Sequence, residues 1–247
     1  MPGIMRGMLA SILLSMGGAQ MAGAADMPVK DVVGQPASSS WTGFYLGLGG
    51  GAGWYGNTHH DEDVPGVISF GPVKNSGRGP VGTVTAGYDH QFAQTWVAGA
   101  SAHLDWSNIH GAWNDHSAGG GGDVTGRFQH ASSWAIGERI GYLVTPSMLV
   151  YETAGYAQAK FGRVDFINGA GGNTRFIPAQ TMNGVFVGLG VEQVITENLS
   201  ALAEYRYTSF GHKAQNRLIV GSGLVSTNAV QNVTESQLRV AVSYKFK

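Results

Sequence analysis

The stretch Gln237-Leu-Arg-Val-Ala-Val-Ser-Tyr-Lys-Phe246 alternates between two kinds of side chain. One set, from Leu238 to Phe246, is apolar or aromatic, and the other set, from Gln237 to Lys245, is mostly polar. Because successive side chains of a strand point to opposite faces, the stretch predicts a β-strand with one apolar and one polar face. Its closing aromatic pair, Tyr244 and Phe246, is typical of a strand that ends at a membrane interface.

The composition favours a β-rich chain that spans a membrane. Charged residues make up 13% of the 247 residues, whereas about a quarter is usual in soluble proteins. The 39 glycines, mixed with 43% hydrophobic residues, suit curved strands and long connections. The net charge of −1 gives no reason to expect a nucleic-acid partner, and the lack of cysteine excludes disulfides.

The N-terminus predicts export. Residues 1–24 have the pattern of a signal peptide: Arg6, then an apolar stretch over 8–16, then the small residues Ala22-Gly-Ala24. Residues 25–40 contain prolines and three consecutive serines, and we interpret them as a flexible periplasmic leader. The apolar stretch is shorter than the roughly 20 residues of a spanning helix, so a membrane-spanning domain over 41–247 must be a closed β-barrel.

Eight segments of about ten residues carry the strand pattern, which predicts an all-β, eight-stranded antiparallel transmembrane barrel. They cover residues 42–54, 81–90, 96–106, 128–142, 148–161, 183–195, 200–210 and 237–246. Short turns at 91–95, 144–147 and 196–198 are predicted on the periplasmic side. Four long extracellular loops are predicted at 55–80, 107–127, 162–182 and 211–233. Short turns on one side and long loops on the other are a property of outer-membrane barrels.

Six short motifs, in this order, resemble the alphaproteobacterial outer-membrane β-barrel (porin-like) family, which includes major 25 and 31 kilodalton surface proteins. They are WTGFYLG at 41–47, RIGY at 139–142, TAG at 153–155, GLGVE at 188–192, EYRYTSFG at 204–211 and LRVAVSYKF at 238–246. The resemblance covers residues 41–246 and implies a Gram-negative cell outer membrane location. It also implies a structural role, with porin activity or haem binding attributed to some members.

Two positions depart from the family pattern. Lys247 follows the phenylalanine that usually ends the chain, where Tyr244 and Phe246 would form the C-terminal assembly signal. Glu138 falls on the lipid-facing parity, where the family has a small or apolar residue. Because a lipid-facing carboxylate is costly, we expect Glu138 near the periplasmic headgroups or at a local bulge.

The inward-facing parity predicts a balanced set of four acids and four bases in the lumen. They are Asp105, Arg139, Glu152, Glu192, Glu204, Arg206, Arg239 and Lys245. Charges in a narrow barrel persist only if they are paired and hydrogen-bonded, and the interior of an eight-stranded barrel is just wide enough for side chains to fill. We therefore expect an ionic network that closes the lumen, with the selectivity filter of a pore as the alternative.

Histidines of the predicted loops are candidate ligands: His59, His60, His110 and His116. Imidazole is a common ligand of transition metals and of haem. No spacing among these residues matches a known closed metal site, so a solvated polar loop is the plainer interpretation. We predict no metal site and no cofactor.

His130 and Ser132 share a parity, which we place on the lipid side, and a Ser–His pair is in principle a nucleophile and its base. A third group should orient the imidazole, but Glu138 is about 20 Å from Ser132 along a strand. The sequence therefore predicts no enzyme.

The sequence favours a structural protein that supports envelope integrity and exposes surface loops, with outer-membrane lipid, lipopolysaccharide and the assembly machinery as partners. A small-solute porin, or a protein that binds haem, metal or a host surface through its loops, is the alternative.

Overall fold

A computed structural model describes residues 40–64, 67–115, 124–167, 173–221 and 225–246. These residues form ten β-strands, and the predicted signal peptide and most of the leader lie outside them. The strands are β1 Gly43–Val64, β2 Val67–Phe92, β3 Trp96–Asp115, β4 Val124–Thr145, β5 Met148–Phe161, β6 Val164–Ile167, β7 Asn173–Ile177, β8 Gln180–Val194, β9 Leu199–Ile219 and β10 Val225–Lys245. Within these ranges, no helix is long and apolar enough to cross a membrane.

Eight of the strands form a closed antiparallel ring in the order β1-β2-β3-β4-β5-β8-β9-β10. The ring closes where β10 pairs with both β1 and β9. Closure leaves no unpaired edge, so the backbone hydrogen bonds of the wall are satisfied between strands. The predicted all-β, eight-stranded antiparallel barrel is confirmed.

The four long connections occur where they were predicted, but many of their residues continue the wall as paired strands. Pairing of β1 with β2 runs past Tyr55 as far as Val64 opposite Val67. The reason is visible in the alternation, because Tyr55, Asn57 and His59 continue the inward-facing set of β1 and are buried. The wall of the barrel therefore extends well beyond the predicted first strand, 42–54.

A small hairpin, β6–β7, was not predicted. Strand β6 pairs with β4, and β7 pairs with β9. In this way the hairpin continues the wall beyond the point where β5 ends at Phe161 and β8 begins at Gln180. It completes the long-connection end of the barrel.

The outer face carries an apolar band between two rings of exposed aromatic side chains. The ring near the short turns, which we name the lower girdle, contains Phe44, Tyr88, Phe92, Trp96, Tyr142, Tyr244 and Phe246. The ring toward the long connections, the upper girdle, contains Trp54, Trp106, Trp134, Tyr156, Tyr205 and Tyr207. Leu, Val, Ile and Ala fill most of the space between them, which is the pattern of a bilayer-spanning wall.

The interior is filled by layers of different chemistry. A lower apolar layer near the short turns consists of Trp41, Val97, Leu143, Leu149 and Tyr151. A larger upper apolar core occupies the extension and includes Tyr55, Ile109, Trp113, Phe128, Phe161, Phe166, Ile177, Met182 and Phe210. Charged and polar side chains lie between the two, and they form the candidate site.

Candidate functional site: the ionic network of the lumen

Four residues form the lower ionic group, centred on the buried guanidinium of Arg139. Its Nε donates to Asp89 Oδ1 at 2.8 Å and its Nη1 to Glu192 Oε2 at 2.8 Å, and Nη2 also binds Asp89. Lys245 Nζ donates to Asp89 Oδ2 at 3.0 Å. Two bases therefore meet two acids, and the group has no formal net charge.

The upper ionic group consists of Asp105, Glu204, Arg206 and Arg239. Glu204 is its centre, since Oε1 accepts from Arg206 Nε at 3.2 Å and also from Arg239 Nη2. Arg239 Nη1 reaches Asp105 Oδ1 at 3.4 Å. This group is also balanced, and each of its side chains is buried.

Tyr151 joins the two groups. Its hydroxyl donates to Glu204 Oε2 at 3.0 Å, while its ring centroid lies 4.9 Å from the Arg139 guanidinium carbon. Tyr45 flanks Arg139 at 5.0 Å. Gly190 makes room for Tyr151, because a Cβ at Gly190 would overlap the Tyr151 ring. The two ionic groups therefore form one continuous network.

His103 takes part in the network as a neutral acceptor. Its Nε2 lies 3.0 Å from Arg206 Nη2, and its Nδ1 lies 3.0 Å from Thr85 Oγ1. Because a guanidinium only donates, Nε2 must accept and Nδ1 carries the proton. A small cavity beside His103 is lined by Tyr45, Tyr151, Leu202 and Ala241, by the hydroxyl residues Thr83, Thr85, Ser101 and Thr153, and by parts of both ionic groups.

Seven of the eight predicted network residues lie inside the barrel and contact one another as described. The placement of Glu152 is wrong, because its side chain is exposed on the outer face. An inward Glu152 implies that its neighbours of opposite parity, the apolar Leu149 and Tyr151, face the lipid. In fact both belong to the lower apolar layer of the interior, so the parity of β5 is the reverse of the predicted one.

Two residues of the site were missed by the sequence prediction. Asp89 takes the place assigned to Glu152, and it is fully buried. It could have been found by continuing the alternation of β2 one residue past the outward Tyr88. Trp41 was predicted only as the first residue of the barrel domain; it precedes β1 and is buried at the bottom of the lumen.

Trp41 closes the lower end of the barrel. Its indole Nε1 donates to Pro146 O at 3.1 Å, and its carbonyl oxygen accepts from Lys245 Nζ at 2.7 Å. Its backbone N–H donates to Gln91 Oε1 at 3.1 Å. These contacts tie Trp41 to the ends of β2 and β10 and to the turn between β4 and β5.

The histidine candidates that the structure describes do not form a metal cluster. His59 is buried, with Nε2 accepting from Trp113 Nε1 at 3.2 Å and Nδ1 3.3 Å from Asn75 Nδ2. Thus His59 belongs to the packed interior of the extension and does not lie on a solvated loop. His60 and His110 are half-buried, and His116 lies outside the described residues. In the ranges described, no three His, Cys, Asp or Glu side chains are placed to hold a metal ion.

His130 does not lie on the outer face, contrary to the prediction. A register shift between His130 and Ser132 reverses the parity, so His130 points inward. Its Nδ1 lies 2.9 Å from Glu235 Oε2, and Gln237 Nε2 donates to Glu235 Oε1 at 2.5 Å. The imidazole therefore forms a buried pair with a carboxylate above the upper girdle.

This pair predicts a pH-dependent contribution to stability. Burial, the largest single influence, lowers the pKa of His130, but attraction and hydrogen bonding to Glu235, a backbone hydrogen bond at Ser132 and attraction to Asp105 together raise the pKa overall. A group whose pKa is higher in the folded state than in the unfolded state stabilises the fold at pH values below its unfolded-state pKa. That contribution is lost as the pH rises through its folded-state pKa. The stability advantage of the wild type over His130→Gln should therefore be larger at about pH 5.5 than at about pH 9. Urea midpoints of both proteins at both pH values test this, and an advantage that grows with pH would contradict it.

Tyr244 and Phe246 lie where the assembly signal was predicted. Both side chains are exposed in the lower girdle, and their ring centroids are 5.0 Å apart.

Glu138 faces outward as its parity indicated. However, Glu138 lies four residues from Trp134 of the upper girdle and four from Tyr142 of the lower girdle, so it is not at the headgroup position that we expected. The pairing of β4 with β3 and with β5 has no register shift at Glu138, so the expected bulge is not present either.

Comparison with known proteins places the chain in a family. The sequence model of the family described as outer membrane protein beta-barrel domain matches residues 10–246. The chain is 29% identical over 218 residues to the 31 kDa outer-membrane immunogenic protein of Brucella melitensis, with 84% of each chain covered. It is 30% identical over 225 residues to a 22 kDa outer membrane protein of Rhizobium leguminosarum, covering 90% of this chain and 83% of the other.

Among solved structures, the comparison finds neisserial surface protein A, with a TM-score of 0.41 and 18% identity, covering 83% of this chain and 98% of the other. The closed ring of antiparallel strands, the two aromatic girdles and the match over nearly the whole sequence agree with one another. The chain belongs to the outer membrane protein beta-barrel domain family and is a protein of the cell outer membrane, similar to the immunogenic and outer-membrane proteins of alphaproteobacteria.

Proposed function

We propose that this barrel is a structural, non-conducting protein of the outer membrane that supports envelope integrity and has no enzymatic activity. The observation that carries the proposal is the filled lumen. Two charge-balanced ionic groups are joined by Tyr151, and buried apolar layers lie below and above them. A solute crossing this interior would have to displace paired, buried charges, and each broken pair costs several kcal/mol.

Charge balance also argues against a selectivity filter. Ion filters are commonly rings of one charge sign or rings of carbonyl dipoles, which attract one kind of ion. Here Arg139 contacts Asp89 and Glu192, and Arg239 contacts Asp105 and Glu204. The arrangement supports a role in holding the wall together from the inside.

The proposed partners follow from the outer surface. Lipid acyl chains would cover the apolar band, and lipopolysaccharide would surround the outer-leaflet end of the wall. The exposed aromatic pair at the end of β10, Tyr244 and Phe246, would be read by the outer-membrane assembly machinery during insertion. We further propose cleavage of a signal peptide over 1–24, which leaves the leader 25–40 in the periplasm ahead of Trp41.

The test is single-channel recording of the purified, folded barrel in a planar bilayer. We expect no discrete openings over the range of voltages at which a general porin, recorded in the same bilayer as a positive control, conducts. Insertion of the barrel is verified by heat-modifiable migration of the recovered protein. Reproducible openings of uniform size would contradict a closed lumen and would make small-solute transport the better function.

A further inference from the structure

Three rows of outward-facing side chains cross β4, β5 and β8 at the level of the upper girdle. Strand pairing defines the rows, because residues directly opposite each other in a sheet share a face. From the apolar band upward, the rows are Ile136–Tyr156–Val185, Trp134–Gln158–Asn183 and Ser132–Lys160–Thr181. Successive rows are about 7 Å apart along the strands. The surface therefore changes from apolar, through amide, to cationic along the direction of the bilayer normal.

The middle row is connected by hydrogen bonds between side chains. Trp134 Nε1 donates to Gln158 Oε1 at 3.2 Å, and Gln158 Nε2 donates to Asn183 Oδ1 at 2.9 Å. Within the described chain, the amide nitrogen of Asn183 donates to no other group. Girdle aromatics lie at the depth where hydrocarbon gives way to polar headgroups. The amide row thus offers hydrogen-bond donors at the depth of the linkages between acyl chains and headgroup.

The top row holds positive charge without a carboxylate. Lys160 is exposed and makes no hydrogen bond or ion pair in the part of the chain that the structure describes. A second ammonium group reaches the row from β9, where Lys213 Nζ donates to Thr181 O at 2.6 Å. An ammonium group has three donors, so Lys213 retains others for a ligand. Two cations therefore lie beside the hydroxyl groups of Ser132 and Thr181.

The charge of the outer surface differs between the two ends of the barrel. Among the side chains that the structure describes, the exposed charged ones at or above the upper girdle are the bases Lys74, Arg78, Arg127, Lys160 and Arg163. Arg163 pairs with the half-exposed Asp165. At the short-turn end, the described and exposed charged side chain is Glu197. The end that carries the long connections, which is extracellular in such barrels, therefore attracts anions.

We propose that Lys160 and Lys213, together with the hydroxyl groups of the top row and the amide row below, bind the anionic headgroup of an outer-leaflet glycolipid. The acyl chains of this lipid would lie on the apolar row, its amide and sugar groups at the middle row, and its phosphate at the lysines. A lysine beside an anionic lipid surface attracts it, and an ammonium group binds phosphate as a point charge. The inference rests on the contact with lipopolysaccharide in the proposed function and names the residues that make it. It does not depend on the closed lumen.

The test is native mass spectrometry of the folded, full barrel in detergent micelles, titrated with diphosphoryl lipid A. Lys160→Gln should raise the apparent Kd about fivefold relative to the wild type, because one lysine beside an anionic headgroup is lost. Lys160→Arg should bind within about twofold of the wild type, since the guanidinium keeps the charge. Heat-modifiable migration verifies that each variant is folded.

Lys74→Gln is the matched control, because it removes the same charge from the outer face of β2, two rows above Trp54. This site lies three strands away around the ring, so screening should leave its effect on the Kd below about twofold. Phosphatidylglycerol is anionic but lacks the sugar and amide groups, and it should bind the wild type at least about tenfold more weakly. Inorganic phosphate should not displace lipid A.

The outcomes separate the site from the proposed function. An unchanged Kd in Lys160→Gln, or an equal loss in Lys74→Gln, would overturn the site. Equal binding of phosphatidylglycerol, or displacement of lipid A by inorganic phosphate, would overturn the choice of a glycolipid. A wild type that binds no lipid A would overturn the inference together with the proposed lipopolysaccharide contact, whereas the closed lumen is judged by single-channel recording alone.

Discussion

Replacing Arg139 with alanine is expected to lower the free energy of unfolding of the barrel by about 3–5 kcal/mol, the usual cost of breaking a buried ion pair from one side. Arg139 is the only contact between Asp89 and Glu192 within the described network, and both acids are buried. After its removal Asp89 keeps Lys245, whereas among the described residues Glu192 keeps only the hydroxyl of Ser200. The variant therefore leaves an uncompensated, buried charge.

Arg163→Ala is the matched control. Arg163 also pairs with an acid, Asp165, at 2.7 Å, but the two side chains are 47% and 44% exposed. An exposed pair contributes about 1 kcal/mol or less, so this variant should unfold almost as the wild type does. Urea unfolding of both proteins, reconstituted in the same lipid, measures the difference.

A double variant identifies the cause. Removing Glu192 together with Arg139 leaves Asp89 paired with Lys245 and strands no acid, so Arg139→Ala/Glu192→Ala should be more stable than Arg139→Ala alone. If the double variant instead loses as much free energy of unfolding as Arg139→Ala and Glu192→Ala lose together as single variants, the loss of packing around Arg139 would explain the effect, and the stranded charge would not.

Phe166→Ala is expected to open the extension of the barrel. The Phe166 ring is fully buried in the upper apolar core, and its centroid lies 6.1 Å from that of Trp113, edge to face. Truncating a buried phenylalanine to alanine costs about 3–5 kcal/mol, because apolar burial is lost and a cavity remains. The hairpin β6–β7 should therefore open far more often than in the wild type.

The adjacent residue provides the control. Ile167 is 52% exposed, and truncating it should change stability by about 0.5 kcal/mol or less. An external protease added to vesicles reports the open population when opening is fast relative to cleavage. Cleavage within the extension should be on the order of 10²–10³ times faster in Phe166→Ala than in the wild type, and nearly unchanged in Ile167→Ala. Similar rates in the two variants would show that the extension is not held by its apolar core.

The alternation of side chains predicted the strands, because a wall with lipid on one side and a packed lumen on the other requires that pattern, and the signal peptide, interface aromatics and terminal phenylalanine indicated a transmembrane barrel. The predicted fifth segment, 148–161, coincides with β5, and the terminal strand differs from β10 mainly at its start. Alternation does not say which face is which. On β5 the interior is apolar at Leu149 and Tyr151, so the rule that apolar residues face lipid failed there and misplaced Glu152.

The sequence by itself determined the class of the fold and the location in the outer membrane, since these depend on local periodicity, composition and the signal-peptide pattern. Only the tertiary structure decided which acids and bases meet. Asp89 and Arg139 are 50 residues apart in the chain, and Asp105 and Arg239 are 134 apart. Closure of the ring brings such residues together, and the register shift beside His130 determines which way that side chain points. These features arise from contacts between distant strands, and no local pattern in the sequence encodes them.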